Sequence, residues 1–396
     1  MNTNILRAPT RVFALVLQAL AIELLALAVV QMSLGEAAGA ASINPDISLI
    51  GQPAMRWSDD AADPARKRAR LEVGETEIVF DAPLNPYARG TAVITLGDEG
   101  AEVEEAFFAL SRGLPGALAL KGGKYRSGFG RLNIAHGHTY PFAERFRVLA
   151  AYLPGDESLN ETGLQLSELI ALPGDCSLTA SADWLQGDSF RIERSSSGAT
   201  NDPLAAAAEG DRAGEPRPAG LARLAGFVPI GDRSGLEMGV SALRGTNNVA
   251  AATRTTVFGG DFKVKFWNSA RSYFLVQGEF LGLDREDAAW DSLTASHTSS
   301  AVKPAGGYVF ADCNFGARYN VGASFESHQQ AAAGLIRDQA LGIFAGLALM
   351  EETTLFRLAW ERFTPGAPAG APAPDAVNTI SLRVVYSMGP HKTHKF

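Results

Sequence analysis

Residues 258–266 read FGGDFKVKF, with the large apolar residues on even positions and the charged residues Asp261, Lys263 and Lys265 on odd positions. Successive side chains of a β-strand point to opposite faces, so this stretch predicts a strand with one apolar and one charged face. The spacing of an amphipathic helix does not reproduce the pattern. The sequence therefore predicts a fold built from β-strands.

The same alternation recurs along most of the sequence, most clearly over 178–184, 319–326, 356–361 and 379–388. The pattern indicates about 14 strands of roughly ten residues, within a range of about 12 to 16. Short turns rich in Pro, Gly and Asn alternate with long polar connections. The short turns lie at 83–86, 112–116, 172–175, 267–271 and 315–317, and the long connections at 126–159, 186–234, 283–304 and 364–376.

The first residues resemble an export signal. Arg7 and Arg11 precede an apolar run over 12–30, and Ala38 and Ala40 form a small-residue cleavage pattern. We therefore predict a cleavable signal peptide over 1–40; a retained membrane anchor is the alternative. The remaining 41–396 are predicted to form a single domain.

Composition excludes several classes of protein. A formal net charge of −8 over 396 residues does not provide the basic footprint of a nucleic-acid-binding protein. Only Cys176 and Cys313 are present, so disulfides cannot hold an exported chain of this size together. Both are expected to be unpaired, and a single long-range bridge between them is the alternative.

Two architectures share this alternation, a soluble sandwich and a transmembrane β-barrel. Long strands, short turns alternating with long connections, and an export signal favour the barrel. Aromatic residues near strand ends fit the interfacial belt of a barrel in lipid. These are Tyr87, Tyr125, Trp184, Trp267, Tyr273, Trp360 and Tyr386. We predict an all-β, transmembrane antiparallel barrel with short periplasmic turns and long extracellular loops.

The charged strand face is then the lining of the lumen, where side chains contact water. The predicted lumen-lining residues are Asp261, Lys263, Lys265, Arg318, Glu326, Arg357, Glu361 and Arg383. Lys263, Lys265 and Arg383 could favour anions, and cross-strand ion pairing is the alternative. The connection 126–159 is expected to carry a short helix and to fold over or into the barrel mouth. The low-complexity segment 191–219 is expected to be a mobile loop.

His136 and His138 are the candidate metal ligands. At positions i and i+2 of a strand, both imidazoles would share a face and could reach one ion, for which zinc is the candidate. Two histidines do not complete a tetrahedral site, and Glu144 is the acidic residue nearest in sequence, so a metal-free pair is the alternative. No other cofactor is expected.

Several segments resemble a family of porin-like bacterial outer-membrane proteins, whose members are also loosely labelled zinc-regulated TonB-dependent receptors. The segments are Asn44–Gly51, Val103–Phe107, Lys121–Tyr125, Gly128–Asn133, His136–His138, Pro141–Phe142 and His391–Phe396. The resemblance implies an outer-membrane barrel, with the terminal Phe396 read by the barrel-assembly machinery. A receptor of the TonB type resembles a 22-stranded barrel with a plug, and about 22 strands would leave this chain no residues for a plug. A TonB partner is therefore not expected.

The predicted function is a porin-like channel in the cell outer membrane for passive passage of small polar or charged solutes. Lipid, the assembly machinery and small solutes are the expected partners, and nucleic acid is not. The chain lacks the common hydrolase and phosphate-binding motifs, so no enzymatic activity is predicted. The alternatives are a non-conducting barrel whose loops bind a ligand or partner, and a metal-linked uptake protein.

Overall fold

The computed structural model describes residues 44–97, 100–155, 159–190, 217–249, 251–291, 296–332, 334–349 and 353–390. The predicted signal peptide over 1–40, Phe396 and residues 191–216 of the predicted mobile loop lie outside these ranges.

The described chain forms one antiparallel sheet with little helix. Its strands are β1 Asp46–Gly51, β2 Ala54–Ser58, β3 Arg70–Glu72, β4 Thr76–Pro83, β5 Ala88–Gly97, β6 Gly100–Leu110, β7 Leu118–Arg126, β8 Asn160–Ala171, β9 Ser177–Leu185, β10 Ala219–Ile230, β11 Ser234–Asn248, β12 Thr253–Ser269, β13 Ser272–Asp291, β14 Ser296–Val302, β15 Ala305–Phe315, β16 Tyr319–Gln329, β17 Arg337–Leu349, β18 Thr354–Thr364 and β19 Val377–Met388. Helix α1 spans Arg147–Tyr152, and short 3-10 helices span Gly137–Thr139 and Asp188–Phe190. Among the described residues, no helix is both long and apolar enough to cross a membrane.

The sheet closes on itself because β19 pairs with both β1 and β2, with Leu49 opposite Met388 and Ser58 opposite Thr379. β1 and β2 form the first wall strand, which is interrupted next to Pro53, a residue that has no N–H for a strand ladder. β3 and β4 likewise form the second wall strand. Closure satisfies the backbone hydrogen bonds of both edges, as a barrel in lipid requires.

The wall contains sixteen strands, because β14 and β15 pair with successive parts of β13 and together form one wall strand, as β1 and β2 do and as β3 and β4 do. The barrel class predicted from the sequence is confirmed, and the sixteen strands lie at the upper end of the predicted range of 12 to 16, above the central value of about 14.

The connection predicted over 186–234 is wrong in its second part, which contains β10. The inward residues Ala219 and Leu221 are apolar and buried in the interior, so β10 lacks the alternation of polar and apolar residues. Residue 219 accordingly begins a strand and does not belong to the predicted loop.

The connection predicted over 283–304 is also wrong in part. β13 continues to Asp291 and pairs there with β14. This hairpin is rich in polar residues, and a strand outside lipid does not need an apolar face, so the sequence resembles a loop.

Short turns lie at the end of the barrel where β1 begins and β19 ends, which we call the turn end. The connections there are 84–87, 111–117, 172–176, 231–233, 270–271 and 316–318. The other end, called the loop end, carries the longer connections 59–69, 127–159, 186–218 and 365–376.

Large apolar side chains point outward from the wall. Phe258 on β12 is 57% exposed, as the alternation in that strand predicts, and Phe280 on β13 is 63% exposed. The belt of aromatic residues is predicted wrongly in part, because Tyr125 and Tyr273 are buried in the interior and Trp267 packs against that core. The interior of this barrel contains a packed apolar core, so aromatic side chains are favoured there as well as next to lipid.

Candidate functional site: the lumen and its inner segment

Residues 127–155, here called the inner segment, leave β7 and lie within the barrel. Their contacts reach inward residues on strands around the wall, including Glu77 on β4, Glu279 on β13 and Arg383 on β19. Contacts on opposite sides of a closed sheet are made only from inside it. The inner segment therefore crosses the lumen.

One side of the inner segment packs through aromatic rings. Phe146 stacks on Tyr308 with ring centroids 3.9 Å apart. Phe142 meets Phe310 at 5.1 Å and Phe344 at 6.1 Å, both edge to face. These rings are buried, and such pairs stabilise beyond the apolar area they bury. These rings join the inner segment to strands β13 to β17, and the same buried core continues along the wall through Leu221 on β10, Leu243 on β11 and Val257 on β12.

Glu279 holds the first turn of the inner segment. One oxygen of this buried carboxylate, Oε1, accepts hydrogen bonds from the backbone N–H of Arg131 at 2.9 Å and of Leu132 at 2.7 Å. The same oxygen accepts the Tyr308 hydroxyl at 2.6 Å. Three donors thus meet one buried carboxyl oxygen in a site shielded from water, which makes Glu279 a strong anchor.

Gly130 permits this approach. Its φ of +60° lies in the left-handed region, and a Cβ on it would overlap with the Glu279 carboxylate. We expect Gly130→Ala to weaken the anchor by at least about 1–2 kcal/mol from backbone strain alone. Protease cleavage within the inner segment of the folded barrel should accelerate roughly tenfold.

Gly128→Ala is the matched control for this substitution. A Cβ there makes only an ordinary contact, 3.5 Å from Gln165 Nε2. If the inner segment were cleaved by protease at the same rate in Gly130→Ala and Gly128→Ala, Gly130 would not be required for the anchor at Glu279.

Helix α1 is held by two acidic residues of the wall. Arg147 at its start pairs with Glu361 on β18, and the Val148 N–H donates to Glu326 on β16. Tyr152 at its end donates to the Gln329 carbonyl at 2.8 Å. Burial raises the pKa of the Tyr152 hydroxyl to about 12, so this donor keeps its proton at neutral pH.

A second polar cluster joins the other side of the inner segment to β4 and β6. His138 Nδ1 lies 2.9 Å from Glu77 Oε1, and His136 Nδ1 lies 3.2 Å from Glu77 Oε2. His136 Nε2 lies 3.1 Å from Glu105 Oε2. Burial alone would lower the pKa of His136, but its contacts with Glu105 and Glu77 outweigh burial and raise that pKa to about 9.

Most of the predicted lumen residues lie in the wall and face inward. Asp261 pairs with Arg223 at 2.6 Å and lies 3.6 Å from Arg131. Arg357 donates to the His138 carbonyl at 2.6 Å, and Arg383 pairs with Glu144 at 3.3 Å. Much of this predicted lining therefore contacts the inner segment.

Lys263 and Lys265 lie on the inward face of β12, toward the turn end, and the ammonium group of Lys265 lies 4.0 Å from the centre of the Tyr273 ring. The prediction that Arg318 lines the lumen is wrong. Arg318 lies exposed in the turn 316–318, in which Ala317 has a φ of +63°. The alternation identifies the inward face, and it does not identify the residue at which a strand ends.

The sequence analysis did not identify Glu77, Glu105 or Glu279, although they are the main acidic contacts of the inner segment. Each occupies an inward position of a wall strand, where any barrel carries charge, so nothing in the sequence distinguishes it from other inward acidic residues. These residues could be recognised only if the inward fold of the connection 127–159 were already known, because it is this fold that buries their carboxylates.

No model of a known protein family matches the sequence. An uncharacterized protein of Aquifex aeolicus (strain VF5) is 30% identical over 264 residues, which is 63% of this chain and 52% of that protein. The chain thus spans about half the length of this curated relative.

Among solved structures, the anion-selective porin of Comamonas acidovorans superposes with a TM-score of 0.56 and 10% identity, over 87% of this chain and 100% of that chain. The outer-membrane channel DcaP of Acinetobacter baumannii gives 0.55 and 12%, over 89% and 100%. OprB of Pseudomonas putida gives 0.54 and 10%, over 87% and 94%. The chain has the barrel fold of these proteins, and the label of TonB-dependent receptor finds no support among them.

Proposed function

We propose that this protein is an outer-membrane channel that passes small polar or charged solutes through the space left beside its inner segment. The observation that carries the proposal is a closed sixteen-stranded wall with apolar residues outside and charged residues inside. An outer surface with so many exposed large apolar side chains is unfavourable in water and favourable in lipid.

The width of the wall supports conduction. Porins of 16 to 18 strands leave an aqueous channel, whereas barrels of about eight strands are filled by side chains. Here the inner segment packs its aromatic side against β15 and β17, and charged residues such as Lys263 and Lys265 face inward toward the turn end. We infer a narrow, polar path with a conductance below that of an unobstructed barrel of the same size.

Planar-bilayer recording of the refolded protein tests the proposal. We expect discrete current steps of uniform small amplitude in potassium chloride. The folded state is checked by the change in gel mobility on heating that is typical of barrels. If folded protein gave no current steps, the channel proposal would be overturned.

A non-conducting barrel that binds a ligand or partner is the second candidate. The aromatic contacts of Phe142 and Phe146 with the wall favour it, because they fill part of the lumen. The same recording separates the two candidates.

We further propose a preference for anions at the turn end of the lumen. Lys121, Lys263 and Lys265 face inward there, beside the carboxylates of Asp183, Glu237 and Asp312. We infer that ammonium groups along the path raise the local concentration of anions. We expect the double variant Lys263→Gln/Lys265→Gln to lower the anion-to-cation permeability ratio about twofold or more. The reversal potential in a potassium chloride gradient measures this ratio.

Lys303→Gln is the control, since Lys303 lies at the loop end and pairs with Asp284 at 2.9 Å. An unchanged ratio in the double variant would count against an anion preference at these lysines.

A further inference from the structure

We propose that Glu77, His136 and His138 bind one divalent transition-metal ion of the zinc class at the junction of the inner segment with β4. The inference does not rest on conduction, because the site can be tested in a barrel that carries no current.

The donor atoms already lie close together. One donor from each of the three residues lies within 4.8 Å of the others. The Glu77 carboxylate is 2.9 Å from one imidazole and 3.2 Å from the other. Ligands at roughly 2.0–2.2 Å from a tetrahedral ion are about 3.3–3.5 Å from one another. An ion could therefore be bound with small side-chain movements.

Several of these atoms are buried without a hydrogen bond. Glu77 Oε2 and His136 Nδ1 lie 3.2 Å apart as an ion pair, and neither atom makes a well-aligned hydrogen bond. His138 Nε2 is also buried without a partner, on a side chain that is 1% exposed. Buried polar atoms are seldom left in this state, and a bound ion would satisfy some of them.

The surroundings are those of a metal ligand. His136 presents its other nitrogen to Glu105, and the Arg126 N–H fixes that carboxylate by donating to it at 2.8 Å. A carboxylate behind a ligating histidine orients the ring and increases its basicity. Gln52 lies beside Gly137, and its buried Oε1 also lacks a hydrogen bond. Either this oxygen or a water can complete four ligands.

The donor types select the kind of ion. Two imidazole nitrogens with one carboxylate oxygen suit zinc, copper, nickel or iron, whereas calcium and magnesium need more oxygen ligands. A carboxylate also supplies negative charge to a site that would hold a divalent cation.

The experiment uses the full-length barrel refolded in detergent. The other histidines, His297, His328, His391 and His394, are replaced by Ala so that only His136 and His138 remain. Zinc is titrated by calorimetry and cobalt by its visible absorption. We expect one ion per barrel and the intense cobalt bands of a four-coordinate site with nitrogen ligands.

Variants of the site then assign the ligands. His136→Ala/His138→Ala should lower zinc affinity at least about 100-fold, and Glu77→Gln, which keeps the side-chain shape, at least about tenfold. Glu105→Gln should cost about tenfold, since Glu105 acts through His136. Gel mobility on heating confirms that each variant is folded.

A reciprocal protein that keeps His328 and lacks His136 and His138 is the matched control, because His328 is also buried in the wall. Zinc affinity that is undiminished in this protein or in Glu77→Gln, or the absence of a stoichiometric site in the first protein, would overturn the proposal.

Discussion

Replacing residues 128–158 by a short Gly-Ser turn should raise the single-channel conductance at least about threefold, toward that of an unobstructed 16-stranded barrel. The substitution removes the aromatic rings and the charged anchors that cross the lumen. The wall should still close, because β7 and β8 pair through their own backbone from Leu118 with Glu168 to Arg126 with Asn160. Bilayer recording of the shortened protein measures the change.

The deletion should also lower the thermal stability of the barrel, because the inward residues Phe310 and Phe344 lose their contacts with Phe142. The matched control is deletion of 367–374, which removes exposed residues from the connection between β18 and β19. That deletion should leave the conductance unchanged. Equal conductance of the two deletion proteins would mean that the inner segment does not restrict the path.

Glu279→Ala should release the first turn of the inner segment from the wall. The substitution leaves the N–H groups of Arg131 and Leu132 and the hydroxyl of Tyr308 without their acceptor in a buried site. Each such donor costs about 1–3 kcal/mol, so we expect the free energy of detaching the inner segment to fall by about 3 kcal/mol or more. Protease cleavage within the inner segment should accelerate by roughly two orders of magnitude.

Glu279→Gln is the conservative counterpart of this variant. Its amide retains an oxygen in the place of Oε1, which accepts all three hydrogen bonds, so the buried donors keep an acceptor. We expect a smaller acceleration of cleavage for Gln than for Ala. If the Ala variant were as protected as the unaltered protein, the aromatic contacts alone would hold the inner segment.

Period-two alternation predicts the wall wherever one face contacts lipid and the other contacts polar groups. In β12 it places Asp261 inward and Phe258 outward, as in the structure. It fails in β10, where Leu221 faces inward and is buried in the core. The rule assumes water in the lumen, and a lumen filled by protein removes the contrast on which the rule depends.

The histidine pair illustrates the same limit at the site. The sequence analysis places His136 and His138 on one face of a strand, with Glu144 as their nearest acidic residue. In the structure the pair flanks the start of the 3-10 helix Gly137–Thr139, and Glu144 pairs with Arg383. The carboxylates beside the histidines come from Glu77, 61 residues away from His138, and from Glu105.

The sequence by itself determined the barrel class and which side chains of the regular strands face outward, because both follow from the local geometry of an extended chain beside lipid. The tertiary structure decided the number of wall strands, the position of the inner segment and the carboxylates that hold it. Those features depend on residues far apart in sequence that meet only after the sheet closes, and local patterns carry no record of such contacts.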